Sequence, residues 1–187
     1  MNSAVQNMVT SLVLMQVGKR IPFENPDVLN YARMAYVAIQ VIILGTYYFI
    51  STKIKAKDDK TVLKYVEPPN PMSGQSEGEL VTTTVRDYDL AEVSKSLKGV
   101  YMGIGIIAVM HLYFNFTQPL FMQSCLGLKG LYDSKMVQLY ILGHPAEGDL
   151  KRPFKATASM FGAAAPGPQT DNATIQAAEK RTAKKDE

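Results

Sequence analysis

The sequence has 187 residues, 20% of them charged, with a formal net charge of +3 and a mean hydropathy of -0.05. A charge this small, scattered over the loops, argues against a nucleic-acid-binding surface. The single cysteine, Cys125, excludes an internal disulfide framework and offers no metal-binding cluster.

Charged residues are absent from three long runs, residues 1–18, 34–52 and 99–128. The hydrocarbon core of a bilayer imposes such segregation, because a charged side chain at the centre of a membrane helix costs roughly 2.5–3.5 kcal/mol. We therefore expect an all-α membrane protein with two strong transmembrane helices and a short N-terminal membrane helix.

The first apolar run, residues 3–17, ends at Gly18 followed by Lys19 and Arg20, which is a typical helix stop. As a helix it is about 22 Å long, shorter than the roughly 30 Å hydrocarbon core. It either spans a thinned bilayer or lies partly in the interface. Because a preceding basic region and a small-residue cleavage site are lacking, we expect a retained segment and not a signal peptide.

Asn25 and Pro26 supply a cap and a first-turn proline for the second helix, which continues past Ile50. Its centre, residues 37–44, is almost wholly apolar. Residues 47–49 are aromatic, as expected where a span meets the headgroups. This is the strongest predicted span.

After the second helix the sequence becomes polar and contains several prolines up to residue 80, which predicts a loop. Residues 67–74 cannot continue a helix. Residues 81–85 form one strand candidate without a predicted partner. Asp89 and Glu92 resemble a capping box, which predicts a third helix over residues 90–117.

Pro119 is predicted to break that helix, and residues 120–142 then form an amphipathic or re-entrant helix that carries Lys129, Asp133 and Lys135. After Gly143 the composition is that of a mostly disordered tail. The predicted domains are a membrane-embedded helical domain over residues 1–142, with a cytosolic loop 53–98 inserted between helices, and a polar tail over residues 143–187.

Five lysines follow the second helix and are candidate cytosolic contacts: Lys53, Lys55, Lys57, Lys60 and Lys64. By the positive-inside rule they place this loop in the cytosol. They could also contact anionic headgroups or a ribosome, although setting topology alone explains them more simply.

The tail, residues 143–187, is basic too. It reaches the cytosol if residues 120–142 cross the membrane and the lumen if they do not, and the sequence leaves both open.

Polar residues within or beside the predicted membrane segments are candidates for a hydrophilic intramembrane groove. They are Gln6, Asn7, Gln16, Gln40, Thr46, His111, Asn115 and Gln118. Interhelical hydrogen bonding is the alternative explanation for any one of them.

Gly99 and Gly103 have the spacing of a small-residue helix-packing face, with simple tolerance of glycine in a membrane helix as the alternative. Neither an acidic residue nor a second histidine accompanies His111 in its span, so we expect no metal site there. Motifs for catalysis or cofactor binding are also lacking, and we do not expect an enzyme.

Several stretches closely resemble a fungal endoplasmic-reticulum membrane protein family: KYVEP at residues 64–68, residues 70–74, VTTTVRDYDL at residues 81–90, HLY at residues 111–113, residues 119–124, and GDLKRPFKA at residues 148–156. That family is described as inorganic phosphate transport proteins and as the third component of the SRP-independent (SND) targeting pathway. The resemblance implies residence in the endoplasmic-reticulum membrane as a multi-pass protein.

The resemblance also implies a targeting or insertion factor for membrane proteins, acting independently of SRP. Its implied partners are other SND components, the Sec translocon, client transmembrane segments and membrane lipid, with the ribosome left open. The alternatives are inorganic phosphate transport or its regulation, and a membrane scaffold or contact-site protein. The absence of a visible inverted repeat argues against transport.

Overall fold

The structure is a computed structural model that describes residues 3–68, 78–155 and 167–185. Its elements in chain order are helices α1 (Ser3–Gly18) and α2 (Pro26–Lys57), strands β1 (Val62–Glu67) and β2 (Glu79–Thr84), and helices α3 (Val85–Leu112), α4 (Gln118–Asp133), α5 (Lys135–Tyr140) and α6 (Asn172–Lys185). The predicted helical class is confirmed, with a small antiparallel sheet that the all-α prediction missed.

The chain divides into two compact units. The helical unit contains Met1–Lys53 and Ala91–Gly143, and the hairpin unit contains Ile54–Leu90 and His144–Glu187. Helices α2 and α3 each continue from one unit into the other. This division groups the tail with the loop between α2 and α3, whereas the sequence analysis separated them. The membrane embedding of residues 1–142 stays a prediction.

The second helix begins where its capping residues predict. The side-chain oxygen of Asn25 accepts the Asp27 backbone N–H at 2.9 Å, and the Asn25 carbonyl accepts the Leu29 N–H at 3.0 Å. Both α2 and α3 are long and apolar enough to cross a membrane. Only 28% of the most apolar window of α2 and 11% of that of α3 are buried, whereas the core helix of a soluble protein is mostly buried. The chain therefore has two candidate membrane-spanning helices among its described residues.

The strand candidate at residues 81–85 does have a partner, so the prediction of an unpaired strand is wrong. Strand β1 pairs antiparallel with β2, with Val62 opposite Thr84 and Glu67 opposite Glu79. Sequence analysis missed β1 because its consecutive residues Tyr65 and Val66 are both buried. A strand covered on both faces lacks the alternation of apolar and polar residues that reveals a half-buried strand.

The third helix begins five residues earlier than predicted, and its cap is different. The Thr84 hydroxyl accepts the Asp87 backbone N–H at 3.1 Å and donates to the Asp87 carboxylate at 2.9 Å. The predicted capping box of Asp89 and Glu92 is therefore wrong. Helix α3 ends at Leu112, also five residues before the predicted end, and Asn115 in the following turn has a positive φ of 55°.

Residues 120–142 do not form one helix. A break at Ser134, with a ψ of 126°, separates α4 from α5. The tail also differs from the expected disorder where it is described, because α6 packs against the hairpin and Phe154 and Ala178 are buried. Residues 69–77 of the predicted loop and residues 156–166 of the predicted tail lie outside the described residues.

Candidate functional site

Helices α1 and α4 run antiparallel and share a polar contact. The ammonium group of Lys129 donates to the Asn7 side-chain oxygen at 2.7 Å and also pairs with Asp133, one turn further along α4. At the other end of α1, a Cβ added to Gly18 would lie 3.4 Å from the side chains of Gln118 and Phe121. Asn7 is thus one predicted polar residue whose partner is a charged group on another helix.

His111 connects the end of α3 to the start of α2. The Arg33 Nε donates to the His111 Nε2 at 2.9 Å, while the His111 Nδ1 lies 3.3 Å from the Phe116 carbonyl oxygen. Because Nε2 accepts from an arginine that is always charged, the proton of a neutral imidazole sits on Nδ1 and is donated to Phe116. The interaction fixes the turn after α3 relative to the first turns of α2.

The remaining polar candidates are spread over the helical unit. Gln40 is buried in α2, and Gln6 is exposed. The Thr46 hydroxyl donates to the carbonyl of Ile42 at 2.7 Å, one turn earlier in the same helix. An intrahelical bond of this kind satisfies the hydroxyl without another helix.

Two surface pockets of the helical unit contain other members of the set. One, of about 550 Å³, lies at the α3–α4 turn and is lined by Asn115 and Gln118 together with residues 23–24, 116–117 and 119. The other, of about 370 Å³, lies on α1, where Gln16 and Arg20 flank apolar side chains. The structure thus brings His111, Asn115 and Gln118 to one end of the unit. A single groove shared by all eight residues stays a prediction.

Three of the five candidate basic residues already have partners within the chain. Lys64 pairs with Glu179 of α6 at 2.8 Å, and Lys60 pairs with Asp58 at 3.3 Å. Lys53 donates to the Tyr140 carbonyl at 3.2 Å. In contrast, Lys55 and Lys57 are exposed and make no hydrogen bond or salt bridge with described residues, although the charge of Lys57 acts on Asp59.

The loop between α2 and β1 contains one carboxylate with a perturbed pKa. The Thr61 hydroxyl donates to Asp59 at 2.7 Å and the Thr61 backbone N–H donates to it at 3.1 Å. These hydrogen bonds stabilise the ionised form and lower the pKa of Asp59, with a smaller contribution from the positive charge of Lys57. The carboxylate thereby holds the tight turn that leads into β1.

The two predicted packing glycines have different surroundings. A Cβ added to Gly103 would lie 3.3 Å from the Gln123 amide nitrogen of α4, whereas a Cβ added to Gly99 would meet nothing within 4 Å. Gly103 therefore faces a neighbouring helix and Gly99 does not, within the described part of the chain.

A buried ion pair closes the hairpin unit. Arg152 donates to both carboxylate oxygens of Asp89, Nε to Oδ1 at 2.6 Å and an Nη to Oδ2 at 2.7 Å. The Asp89 residue is 0% exposed and the Arg152 side chain 11% exposed. The two residues belong to the stretches VTTTVRDYDL and GDLKRPFKA, and the structure brings these stretches together.

Aromatic packing extends this contact, which we call the tail clip and define as Tyr88, Asp89, Arg152 and Phe154. The Phe154 ring lies edge-to-face on Tyr88 at 5.5 Å, and the Phe154 backbone N–H donates to the Tyr88 hydroxyl at 2.7 Å. Tyr88 in turn contacts Tyr65 of β1 at 5.8 Å. The clip attaches the segment after α5 to the first turns of α3.

Neither the tail clip nor the charged partners of the polar residues were predicted from the sequence. Lys129 and Asp133 are separated by four residues on one helix, a spacing that predicts an ion pair and could have identified that contact. Arg33 was visible as a single cation before the apolar centre of α2. The pairing of Asp89 with Arg152 has no local signal, because 63 positions separate the two residues.

The chain is similar to several fungal proteins over most of its length. A family described as "Phosphate transport (Pho88)" matches residues 1–186. A Saccharomyces cerevisiae protein named SRP-independent targeting protein 3 is 43% identical, covering 96% of this chain and 95% of that protein. A Schizosaccharomyces pombe protein named SRP-independent targeting protein 3 homolog is 37% identical, covering 86% of this chain and 83% of its own length.

An uncharacterized Schizosaccharomyces pombe protein is 46% identical over 87% of this chain and 80% of its own length. Solved structures give no significant match. The names of the relatives point to a non-enzymatic role. On the extent and identity of these matches, the chain belongs to the Pho88 family, in which relatives are named SRP-independent targeting protein 3.

Proposed function

We propose that this chain is a membrane-embedded targeting or insertion factor for membrane proteins at the endoplasmic reticulum, acting independently of SRP. The observation that carries the proposal is the 43% identity, over nearly all of both chains, with a protein named SRP-independent targeting protein 3. The two candidate spans, α2 and α3, support the membrane location.

The exposed faces of the two long helices suit contact with lipid or with a client segment. Val41 of α2 is 64% exposed and Met102 of α3 is 67% exposed. Apolar surface of this extent is costly in water but not in hydrocarbon, where an apolar client helix can replace lipid on the same face. The factor therefore needs no cofactor to offer a client a place in the membrane.

A short helix with polar contacts would lower the barrier to passing a client's polar flank. As a 16-residue helix, α1 is about 24 Å long, less than the roughly 30 Å hydrocarbon core. A short hydrophobic element thins the bilayer around it. The contact between Asn7 and Lys129 adds polar groups that favour water entering the thinned region.

The proposed partners follow from this role. They are client transmembrane segments, membrane lipid, other SND components and the Sec translocon. Lys55 and Lys57 are exposed at the end of α2 on the side assigned to the cytosol by the positive-inside rule. They are candidates for contact with anionic headgroups or with ribosomal RNA.

Site-specific photo-crosslinking tests the proposal. A photoreactive residue is placed at Val41 or Met102, and at the exposed Ala146 of the hairpin unit as a matched control. During translation of a membrane protein whose hydrophobic segment is far from its N-terminus, we expect crosslinks from positions 41 and 102 and none from position 146. Failure to capture a client from either helix, or equal capture from all three positions, would contradict the proposal.

The polar groove is tested separately by water accessibility. Single cysteines at Gln6, Gln40 and His111 are expected to react with a small hydrophilic thiol reagent in intact membranes if the groove admits water. Equally slow reaction at all three positions, with normal reaction after detergent is added, would exclude a groove that contains them.

The family description supports phosphate transport as the alternative function. An anion path needs cationic groups inside the membrane, and Arg33 near the start of α2 donates its Nε to His111. Uptake of labelled phosphate by purified protein in liposomes, abolished by Arg33→Gln, would support transport. Absence of uptake together with client crosslinking would favour insertion.

A further inference from the structure

We infer that α4 and α5 together form a third, broken crossing of the membrane, and that the turn between α3 and α4 contacts the lipid surface on the side of the membrane where α3 ends. This turn, residues 113–116, is called the aromatic turn below. The inference rests on the membrane embedding proposed above and goes beyond it, since the sequence leaves both sides open for the tail.

The described parts of the tail and of the loop between α2 and α3 form one folded body. Arg152 and Asp89 make a buried bidentate ion pair, and Gln169 and Val66 exchange two backbone hydrogen bonds of 2.9 Å. A bilayer cannot separate groups that are hydrogen-bonded and ion-paired in this way. The chain therefore enters and leaves the hairpin unit, after residues 53, 90 and 143, on one side of the membrane.

Because α3 leaves the side of the hairpin unit and crosses once, the chain must cross again before residue 144. The helices between are α4 and α5, and residues 118–140 would extend about 34 Å as helix, enough for the roughly 30 Å core. Lys129 within this stretch pairs with Asp133 and Asn7, which reduces the cost of its burial.

Contacts inside the helical unit give independent support. The Tyr140 carbonyl at the end of α5 accepts a hydrogen bond from Lys53, near the C-terminal end of α2. Arg33 near the start of α2 bonds to His111 at the end of α3. The end of α5 thus lies beside the end of α2 that continues into the hairpin unit, while the α3–α4 turn lies at the other end.

The aromatic turn has the composition of a membrane-interface contact. Tyr113, Phe114 and Phe116 are 78%, 55% and 54% exposed. Their rings contact one another, with Phe114 on Phe116 at 6.0 Å and Tyr113 on Phe114 at 5.0 Å. Aromatic rings at the end of a membrane helix favour the headgroup region, where an apolar body and polar neighbours are both accommodated. Since the turn directly follows the apolar helix α3, we assign bilayer lipid as its partner.

Cysteine accessibility tests the third crossing. In a Cys125→Ser background, single cysteines replace Lys60 in the hairpin unit, Glu147 in the tail and Tyr113 in the turn. Sealed microsomes are treated with a membrane-impermeant maleimide before and after detergent is added. We expect positions 60 and 147 to react equally without detergent, and position 113 to react only with it.

A cysteine at position 147 protected until detergent is added, while position 60 reacts, would overturn the third crossing. Protection of 60 and 147 together, with reaction at 113, would support the crossing and reverse only the assignment of the cytosolic side. Failure of the membrane proposal gives another pattern: carbonate extraction would release the protein, and all three positions would react without detergent.

Tryptophan fluorescence tests the lipid contact, because the chain contains no natural tryptophan. Phe114→Trp is compared with Val62→Trp, a matched variant at an exposed position of β1 that is 62% exposed. In liposomes we expect lipids brominated near the headgroup to quench tryptophan 114 and to leave tryptophan 62 unquenched. Equal quenching, or none at position 114, would overturn the lipid contact.

Discussion

Removing the arginine of the tail clip tests whether the buried ion pair holds the hairpin unit together. Arg152→Met leaves the Asp89 carboxylate, 0% exposed, without its bidentate partner. Breaking a buried pair by removing one member costs about 3–5 kcal/mol, because an uncompensated charge remains. An exposed pair would lose only about 0–1 kcal/mol.

Hydrogen exchange measures this loss at a suitable position. The Phe154 backbone N–H is buried and donates to Tyr88, so its exchange with solvent requires the clip to open. A loss of about 3–5 kcal/mol predicts exchange faster by about 150- to 5,000-fold in Arg152→Met. Lys151→Met at the exposed neighbouring residue is the matched control, and its exchange should match that of the native chain.

A double variant separates the burial of charge from the loss of packing. Replacing both members, as in Asp89→Leu with Arg152→Met, removes the buried carboxylate together with the guanidinium and should recover most of the protection lost in the single variant. If Arg152→Met accelerated the exchange of the Phe154 amide less than about tenfold, the clip would be no stronger than a surface ion pair and the reasoning would be wrong.

Gly78→Ala should destabilise the hairpin by about 1–3 kcal/mol in thermal unfolding, because the added Cβ would lie 2.5 Å from a backbone oxygen. Gly130→Ala is the control, because a Cβ added to Gly130 would meet no atom within 4 Å. Thr61→Val should raise the pKa of Asp59 towards its ordinary value, as measured by a carboxyl NMR titration. Because the pKa of Asp59 is lowered in the folded chain, this carboxylate contributes to stability at neutral pH, and the contribution is lost as the pH falls through that pKa. Tyr36→Phe should not lower the melting temperature, because the buried Tyr36 hydroxyl has no hydrogen-bond partner among the described residues; a clear decrease would reveal a partner.

The helices were predictable where their signals are local. The start of α2 depends on Asn25 and Pro26, and its apolar centre is continuous, so both were visible in the sequence. The start of α3 was misplaced because two similar capping patterns lie close together. Thr84 with Asp87 forms the cap, while Asp89 is used by the tail clip. Only the tertiary contact of Asp89 with Arg152 shows which of the two capping patterns is used.

The tail could not be predicted for a related reason. Its composition is that of a disordered segment, and the order of its described residues depends on a few anchors such as Arg152, Phe154 and Ala178. The average composition of a segment does not reveal single buried residues of this kind. The polar residues of the predicted membrane segments were visible individually, but their partners, as with Asn7 and Lys129, lie up to 122 positions away.

The backbone bridge between Val66 and Gln169 covers part of the outer edge of β1. An uncovered strand edge can pair with strands of other chains. Gln169, which covers this edge, is synthesised about a hundred residues after β1. At about 5–20 residues per second, the ribosome leaves that edge open for several seconds during every round of synthesis. Chains truncated before residue 167 never cover it, and we expect them to aggregate during expression more readily than the full-length protein.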